Sequence, residues 1–222
     1  FGLRTYYRPT QFSRISLEYH TTNEFRRGGN KFDLQPHETD ITEQTKHVIN
    51  SGGLSYDLFW KEYKHKLSFY SSIQHTDRNS YYGAEENPNA YGRTKDLTAV
   101  GGAMYVGNMD DCLFSPATFT GGLEYNYNSL HDVMTGYNRD LRQNVRIISG
   151  FAQNEWKMNY FTLLAGFRLD KHNLIDNVIF SPRVNLLWKP SDKLQGRLTW
   201  STGFRAPQAY DEDLHVTAGG GE

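Results

Sequence analysis

The chain has a single cysteine, Cys112, among its 222 residues. One thiol excludes an internal disulfide framework in this stretch and argues against a cysteine-based zinc site, leaving Cys112 to serve as a small buried hydrophobe. Apolar residues are scarce as well, at 37% with a mean hydropathy of −0.70, where soluble domains commonly carry about 45–50%. Charge of one sign is also missing, because 24 basic residues meet 25 acidic ones for a net of −1. Neither a nucleic-acid footprint nor an acidic tail follows from that balance, so no nucleic-acid partner is expected. No apolar run approaches the roughly 20 residues of a membrane helix, and Phe1 opens no signal-peptide pattern. These absences exclude helical spans but not a membrane β-barrel, whose strands are apolar at only every second position. No nucleophile elbow, phosphate-cradling glycine loop or HExxH pattern occurs, so neither chemistry on a substrate nor a cofactor is indicated. No fixed-period repeat marks a propeller or solenoid.

What is present is aromatic, 14% of residues with 15 tyrosines and 13 phenylalanines, set in a pattern of period two. In the segment HVINSGGLSYDLFW, Val48, Leu54, Tyr56, Leu58 and Trp60 share one parity, while His47, Ser51, Ser55 and Asp57 fall on the other. Leu67, Phe69 and Ile73 oppose Lys66, Ser68, Ser72 and Gln74 in the next such segment. Ala117, Phe119, Leu123, Tyr125 and Tyr127 oppose Thr118, Thr120, Glu124, Asn126 and Asn128, and Val184, Leu186 and Trp188 repeat the pattern. Leu194, Leu198, Trp200 and Phe204 oppose Gln195, Arg197, Thr199 and Ser201 in the last segment. Such alternation predicts long half-polar strands whose polar face is too wet for a packed core. The links between strands alternate in length. Short ones are expected near Arg8-Pro9-Thr10, Lys61-Glu62-Tyr63, Asn108 to Asp111, Asn154-Glu155 and Lys189 to Asp192, with Trp60, Tyr63, Trp156 and Trp188 beside them. Longer polar segments are expected around residues 26–40, 77–96, 130–143, 170–177 and 204–222. Short turns at one end, long loops at the other and a girdle of aromatics are the habit of an outer-membrane barrel. The count is about ten antiparallel up-and-down strands, an all-β class.

Several loop residues are candidates for ligand contact. Tyr81, Tyr82 and Tyr91 lie within one long segment and offer rings for stacking, while His37 and His131 are loop histidines, His131 being a metal-ligand candidate. Near the end of the sequence, Asp211, Glu212 and Asp213 precede His215, another metal-ligand candidate, in an order that fits no calcium loop. Gly203-Phe204-Arg205-Ala206-Pro207 reads as a strand terminus that redirects the chain. Gly203 permits the bend, Pro207 cannot donate to a ladder, and the five donors of Arg205 suit loop carbonyls or carboxylates.

The stretch from Ser181 to Val216 resembles the barrel of TonB-dependent outer-membrane receptors, in which a Ser-Pro-Arg strand, a Lys-Pro-Ser-Asp turn and a Gly-Phe-Arg-Ala-Pro box follow in order. Glu24 to Gly53 is similar to a stretch found in Bacteroidetes receptors of that family. The resemblance implies a bacterial outer-membrane location and a 22-stranded barrel closed by a plug, of which residues 1–222 are part and the plug is not. It implies import of a scarce, bulky nutrient, an iron chelate such as a siderophore or haem, with cobalamin as the alternative cargo. It further implies outer-membrane lipid around the barrel, a TonB complex acting through the plug, and a place for a surface lipoprotein over the loops. In some haem receptors of the family a Phe-Arg-Ala-Pro box precedes a functional histidine, the position His215 takes here. Two other classes compete. One is an outer-membrane barrel enzyme using His215 with Asp211 or Asp213. The other is a soluble all-β module, which requires the apolar faces to be buried between two sheets.

Overall fold

Alternating sequence becomes one continuous antiparallel sheet. A computed structural model of the chain describes residues 1–204. Its strands are β1 (Gly2–Tyr7), β2 (Ser13–Gly29), β3 (Ile41–Trp60), β4 (His65–Ala84), β5 (Tyr91–Cys112), β6 (Ser115–Met134), β7 (Arg139–Lys157), β8 (Phe161–His172), β9 (Ile179–Ser191) and β10 (Leu194–Ser201). All ten pair in chain order within a single sheet. Each strand therefore meets its sequence neighbours, which is the up-and-down meander expected from the alternation.

Register sorts the two faces. Leu17, Leu54 and Ser71 stand opposite one another on β2, β3 and β4, and Leu123, Gly150, Leu169 and Phe180 do so on β6 to β9. These positions face outward: Leu123 is 68% exposed, Leu198 70% and Leu54 51%. A dozen large apolar side chains left in water forgo about 18–36 kcal/mol, more than the whole stability of a typical domain. An apolar medium must cover this face. Because every described strand belongs to the one sheet, no second sheet packs over it and the soluble sandwich is excluded. The few fully buried apolar side chains, among them Tyr81, Tyr82, Ala90, Leu130, Met134 and Val145, gather toward the end where β2–β3, β4–β5 and β6–β7 connect.

The connections differ from the sequence reading in a consistent way. Strands β3 to β7 run 19 to 22 residues, about twice the 9–11 needed to cross a bilayer. Polar stretches read as loops are thus largely strand. Tyr81 and Tyr82 lie inside β4, Tyr91 opens β5 and His131 sits in β6, leaving only residues 85–90 and 135–138 as connections. The polarity signal was sound, but it marks ladder that projects into water rather than the end of pairing. Turns expected at residues 108–111, 154–155 and 189–192 fall instead at 113–114, 158–160 and 192–193. At the first of these, β5 shifts register between Met109 and Cys112, and Leu113 carries the reversal with φ 66° while Phe114 N–H bonds the Cys112 carbonyl at 2.9 Å. The turn at residues 61–64 stands as expected. Lys61, Glu62 and Tyr63 are all left-handed, and the Tyr63 hydroxyl donates to the Gln11 carbonyl at 2.8 Å, tying two adjacent turns together. At the opposite end, Gly29 takes φ 114° where a Cβ would strike the Ile41 carbonyl, so the turn out of β2 requires glycine.

Candidate functional site

The inward face carries charge in rows set by register. Tyr70, Gly102, Glu124, Ser149 and Asp170 stand directly opposite one another across β4 to β8. Tyr70 and Glu124 are two strands apart, roughly 10 Å at ordinary strand spacing. Gly102 between them has no side chain, and the tyrosine ring lies across it: a Cβ there would meet the Tyr70 hydroxyl at 2.5 Å. The Tyr70 hydroxyl thereby donates to Glu124 Oε2 at 2.8 Å. Arg168, two residues before Asp170, joins the row together. Its Nη2 donates to Glu124 Oε1 at 2.9 Å and to Ser149 Oγ at 2.7 Å, and its Nε donates to Asp170 Oδ1 at 2.8 Å. Ser149 donates to Asp170 at 2.5 Å and Asn126 to Glu124 at 3.0 Å. A groove of about 850 Å³ opens beside this network, lined by Tyr70, Glu124, Phe151, Arg168, Arg183 and Phe204 among others. Two carboxylates against one guanidinium, with an aromatic wall, make a surface rich in hydrogen-bond donors and acceptors.

A second row lies nearer the longer connections, with His47, Arg78, Thr94 and Asp132 in register across β3 to β6. Asp132 is buried. It accepts from the Thr94 hydroxyl, pairs with Arg139 Nε at 2.9 Å and lies 3.5 Å from Arg78 Nη2, which also donates to Thr94. At the tight-turn end, Asp57 accepts from Arg14 at 2.7 Å and from Ser68 at 2.7 Å, with Lys66 at 3.0 Å.

The candidate ligand residues are distributed as follows. His37 and Tyr91 meet, His37 Nδ1 lying 2.8 Å from the Tyr91 hydroxyl, and Tyr81 packs edge-on against Tyr91 at 4.9 Å. Tyr81 and Tyr82 are themselves buried, Tyr137 donating to the Tyr82 carbonyl. The β2–β3 and β4–β5 connections are joined by the Glu85 and Glu86 N–H groups donating to the Asp40 and Thr39 carbonyls at 2.8 and 3.2 Å, while Lys31 and Asn30 hold Asp40 within the β2–β3 connection at 2.7 and 2.9 Å. That tie holds the Asp40 carboxyl below its ordinary value of 3.8, chiefly through the Lys31 hydrogen bond. His131 faces outward and pairs with Asp140 at 3.1 Å. Gly203 and Phe204 close the described chain. Arg205, Ala206, Pro207, Asp211, Glu212, Asp213 and His215 lie outside the described residues. Among the described residues no cluster of three metal-ligating side chains forms.

Sequence reasoning missed His172. It ends β8 on the inward face, fully buried, with Phe204 edge-on at 6.4 Å. Leu174 N–H donates to its Nδ1 at 3.0 Å, which places the ring proton on Nε2. It also missed Arg168, Glu124 and Asp170, whose separation along the chain leaves no local motif.

A family model described as TonB dependent receptor-like, beta-barrel, matches residues 2–220, nearly the whole chain. The chain belongs to the TonB-dependent receptors. Its fold is similar to the siderophore receptor PirA from Pseudomonas aeruginosa, with a TM-score of 0.71 at 17% identity over 94% of this chain and 34% of that one. It is also similar to a variant of the ferric enterobactin receptor PfeA from Pseudomonas aeruginosa, with a TM-score of 0.69 at 18% identity over 92% of this chain and 32% of that one. The ferric citrate transporter FecA gives a TM-score of 0.52 at 12% identity, covering 86% of this chain and 33% of that one. No curated protein sequence matches. The chain spans about a third of the length of these receptors. TonB-dependent receptors are transporters of the outer membrane rather than enzymes, so the barrel-enzyme reading is set aside. The narrower Bacteroidetes likeness rests on Glu24 to Gly53 alone.

Proposed function

We propose that residues 1–222 form part of the barrel wall of an outer-membrane importer whose cargo is a metal chelate, a siderophore or haem. The observation that carries this reading is the division of one sheet into an uncovered apolar face and a charged, grooved inner face. The outward leucines face lipid, and the inner rows around Arg168 and Asp132 border a hydrated lumen. In this reading a plug and further strands belong to the same receptor: β1 and β10 are not paired with each other among the described residues, and long unpaired edges are a liability that closure removes. Energy reaches the plug from a TonB complex. His37 and Tyr91, with the buried Tyr81 packed edge-on against Tyr91, present an aromatic surface at the outer mouth where cargo is first held. The acidic cluster from Asp211 to Asp213 with His215 is a further cargo contact, and a surface lipoprotein over the loops would enclose both.

The first test is the intact mass of the native polypeptide extracted by detergent from the outer membrane. A mass several times 25.6 kDa is expected of a plugged importer, and a mass near that value overturns the reading. Growth of a strain lacking the gene, under iron limitation, then sorts the cargo. Loss of growth on one ferric siderophore or on haem is expected, and a defect confined to cobalamin assigns the alternative cargo.

A further inference from the structure

The connection between β8 and β9, residues 173–178, is tied down by several short bonds. Asn173 N–H donates to the Arg146 carbonyl at 3.0 Å, and the Asn173 side chain accepts from Arg146 N–H at 2.8 Å and donates to the Asn144 carbonyl at 2.9 Å. Lys171 Nζ donates to the carbonyls of Ile175 and Asp176 at 2.9 and 2.7 Å, and Ile175 N–H donates to the His172 carbonyl at 3.3 Å. One further bond differs in kind. Leu174 N–H donates to Nδ1 of His172 at 3.0 Å, and an imidazole nitrogen accepts only while it carries no proton.

The His172 ring is fully buried, and its Nε2 has no hydrogen-bond partner. A second proton therefore acts twice. It sets an N–H on Nδ1 against the N–H of Leu174, two donors 3.0 Å apart. It also leaves a buried cation without a counter-charge, which costs more than one turn hydrogen bond contributes. The charged groups around the ring are already engaged or turned away. On β8, Asp170 is held by Arg168 and Ser149, and on β6, Glu124 is held by Arg168 and Tyr70. On β7, Ile147 stands opposite His172, while Arg146 and, on β8, Lys171 have the outward parity. Asp176 in the connection is exposed. From β9 the nearby charge is a cation, Arg183, and from the end of β10 the ring meets only Phe204. Ile147 and Phe204 both line the groove beside Arg168, so His172 stands at the edge of that groove.

We propose that His172 is a pH-sensitive latch of the β8–β9 connection. With the ring neutral, Nδ1 caps the Leu174 amide and the connection is closed at the edge of the groove. With the ring protonated, the cap is lost, the imidazolium turns toward water and the connection opens. The cap therefore stabilises at the higher pH and is lost as pH falls. Backbone exchange of residues 173–178 is followed by mass spectrometry on the full-length receptor in detergent, from about pH 8 to about pH 5, the range in which histidine ordinarily changes charge. After correction for intrinsic rates, exchange is expected to be about tenfold faster at the acid end, while residues 115–134 of β6 keep their corrected rate. His172→Asn offers an oxygen to the same amide, as in an Asx turn, and does not titrate in this range. It is expected to keep the connection closed at both ends of the range, and His172→Ala to leave it open at both. Exchange that is indifferent to pH in the unchanged receptor overturns the latch, as does a pH dependence that survives in His172→Asn. Equal acceleration of β6 marks global unfolding and overturns it too. If neither variant folds, nitrogen NMR of the unchanged, histidine-labelled receptor decides. A bare Nδ1 on His172 that gains its proton together with the exchange step supports the latch, and a proton already on Nδ1 at about pH 8 overturns it.

Discussion

Arg168 holds the inner face together because one guanidinium reaches three acceptors on three strands, Glu124, Ser149 and Asp170. Its Arg168→Ala variant is expected to lose about 1–3 kcal/mol toward urea, the lower part of that range because the side chain is over a third exposed. Arg168→Lys is expected to recover little of the loss, since an ammonium cannot reproduce the planar fork. Asp132 is nearly inaccessible between Arg78 and Arg139. Asp132→Ala leaves two inward arginines without their carboxylate and is expected to cost about 3–5 kcal/mol in the same titration. Outside the strands, the Lys31–Asp40 pair responds to pH. Asp40 titrates below 3.8 in the fold, so its contribution is present above that value and is lost as pH falls through the lowered one. Lys31 titrates above 10.5, so its share is present below 10.5 and lost as pH rises through the raised value. Hydrogen exchange of residues 30–40 is expected to accelerate, after correction for intrinsic rates, when the pH is lowered from 7 to 3. Asp40→Asn is expected to abolish that dependence.

Strands of 20 residues are about twice the length that crossing a bilayer needs, so in the proposed reading half of each strand lies in lipid and the rest extends into water. The consequence is a depth-dependent tolerance on the outward parity and a general one on the inward parity. Leu123→Arg, in the apolar band, is expected to destabilise the folded barrel in vesicles by about 2–4 kcal/mol. Gln153→Arg, on the inner face beside the groove, is expected to change stability by no more than about 0.5 kcal/mol. Comparison of the two by urea titration in the same vesicles tests which parity meets lipid, and equal costs would contradict the assignment. Parity was readable before the structure because a period of two survives any error in strand ends. Strand ends were not, because Asn108 and the residues around Tyr81 remain in the ladder despite their polarity, held by partners on neighbouring strands.

Ten strands joined in chain order make a wall, and an importer needs the wall closed and plugged. The uncovered leucine face and the inner charged rows are compatible only with two different media on the two sides. Removal of detergent from the purified protein without added lipid is therefore expected to precipitate it, and light scattering checks this. Return of lipid before removal is expected to prevent it.

The sequence by itself determined the class, the meander, the two faces and the girdle, because each follows from neighbours in the chain: alternation, turn residues and the position of tryptophans. The box from Ser181 to Pro207 pointed to the family for the same reason, being contiguous. Only the tertiary structure decided which polar residues act together. Glu124 and Arg168 are 44 residues apart, and Tyr70 reaches Glu124 only because register puts Gly102 between them. Register across strands is a long-range property of pairing, and it fixes the inner network and the buried His172, neither of which leaves a local trace in the chain.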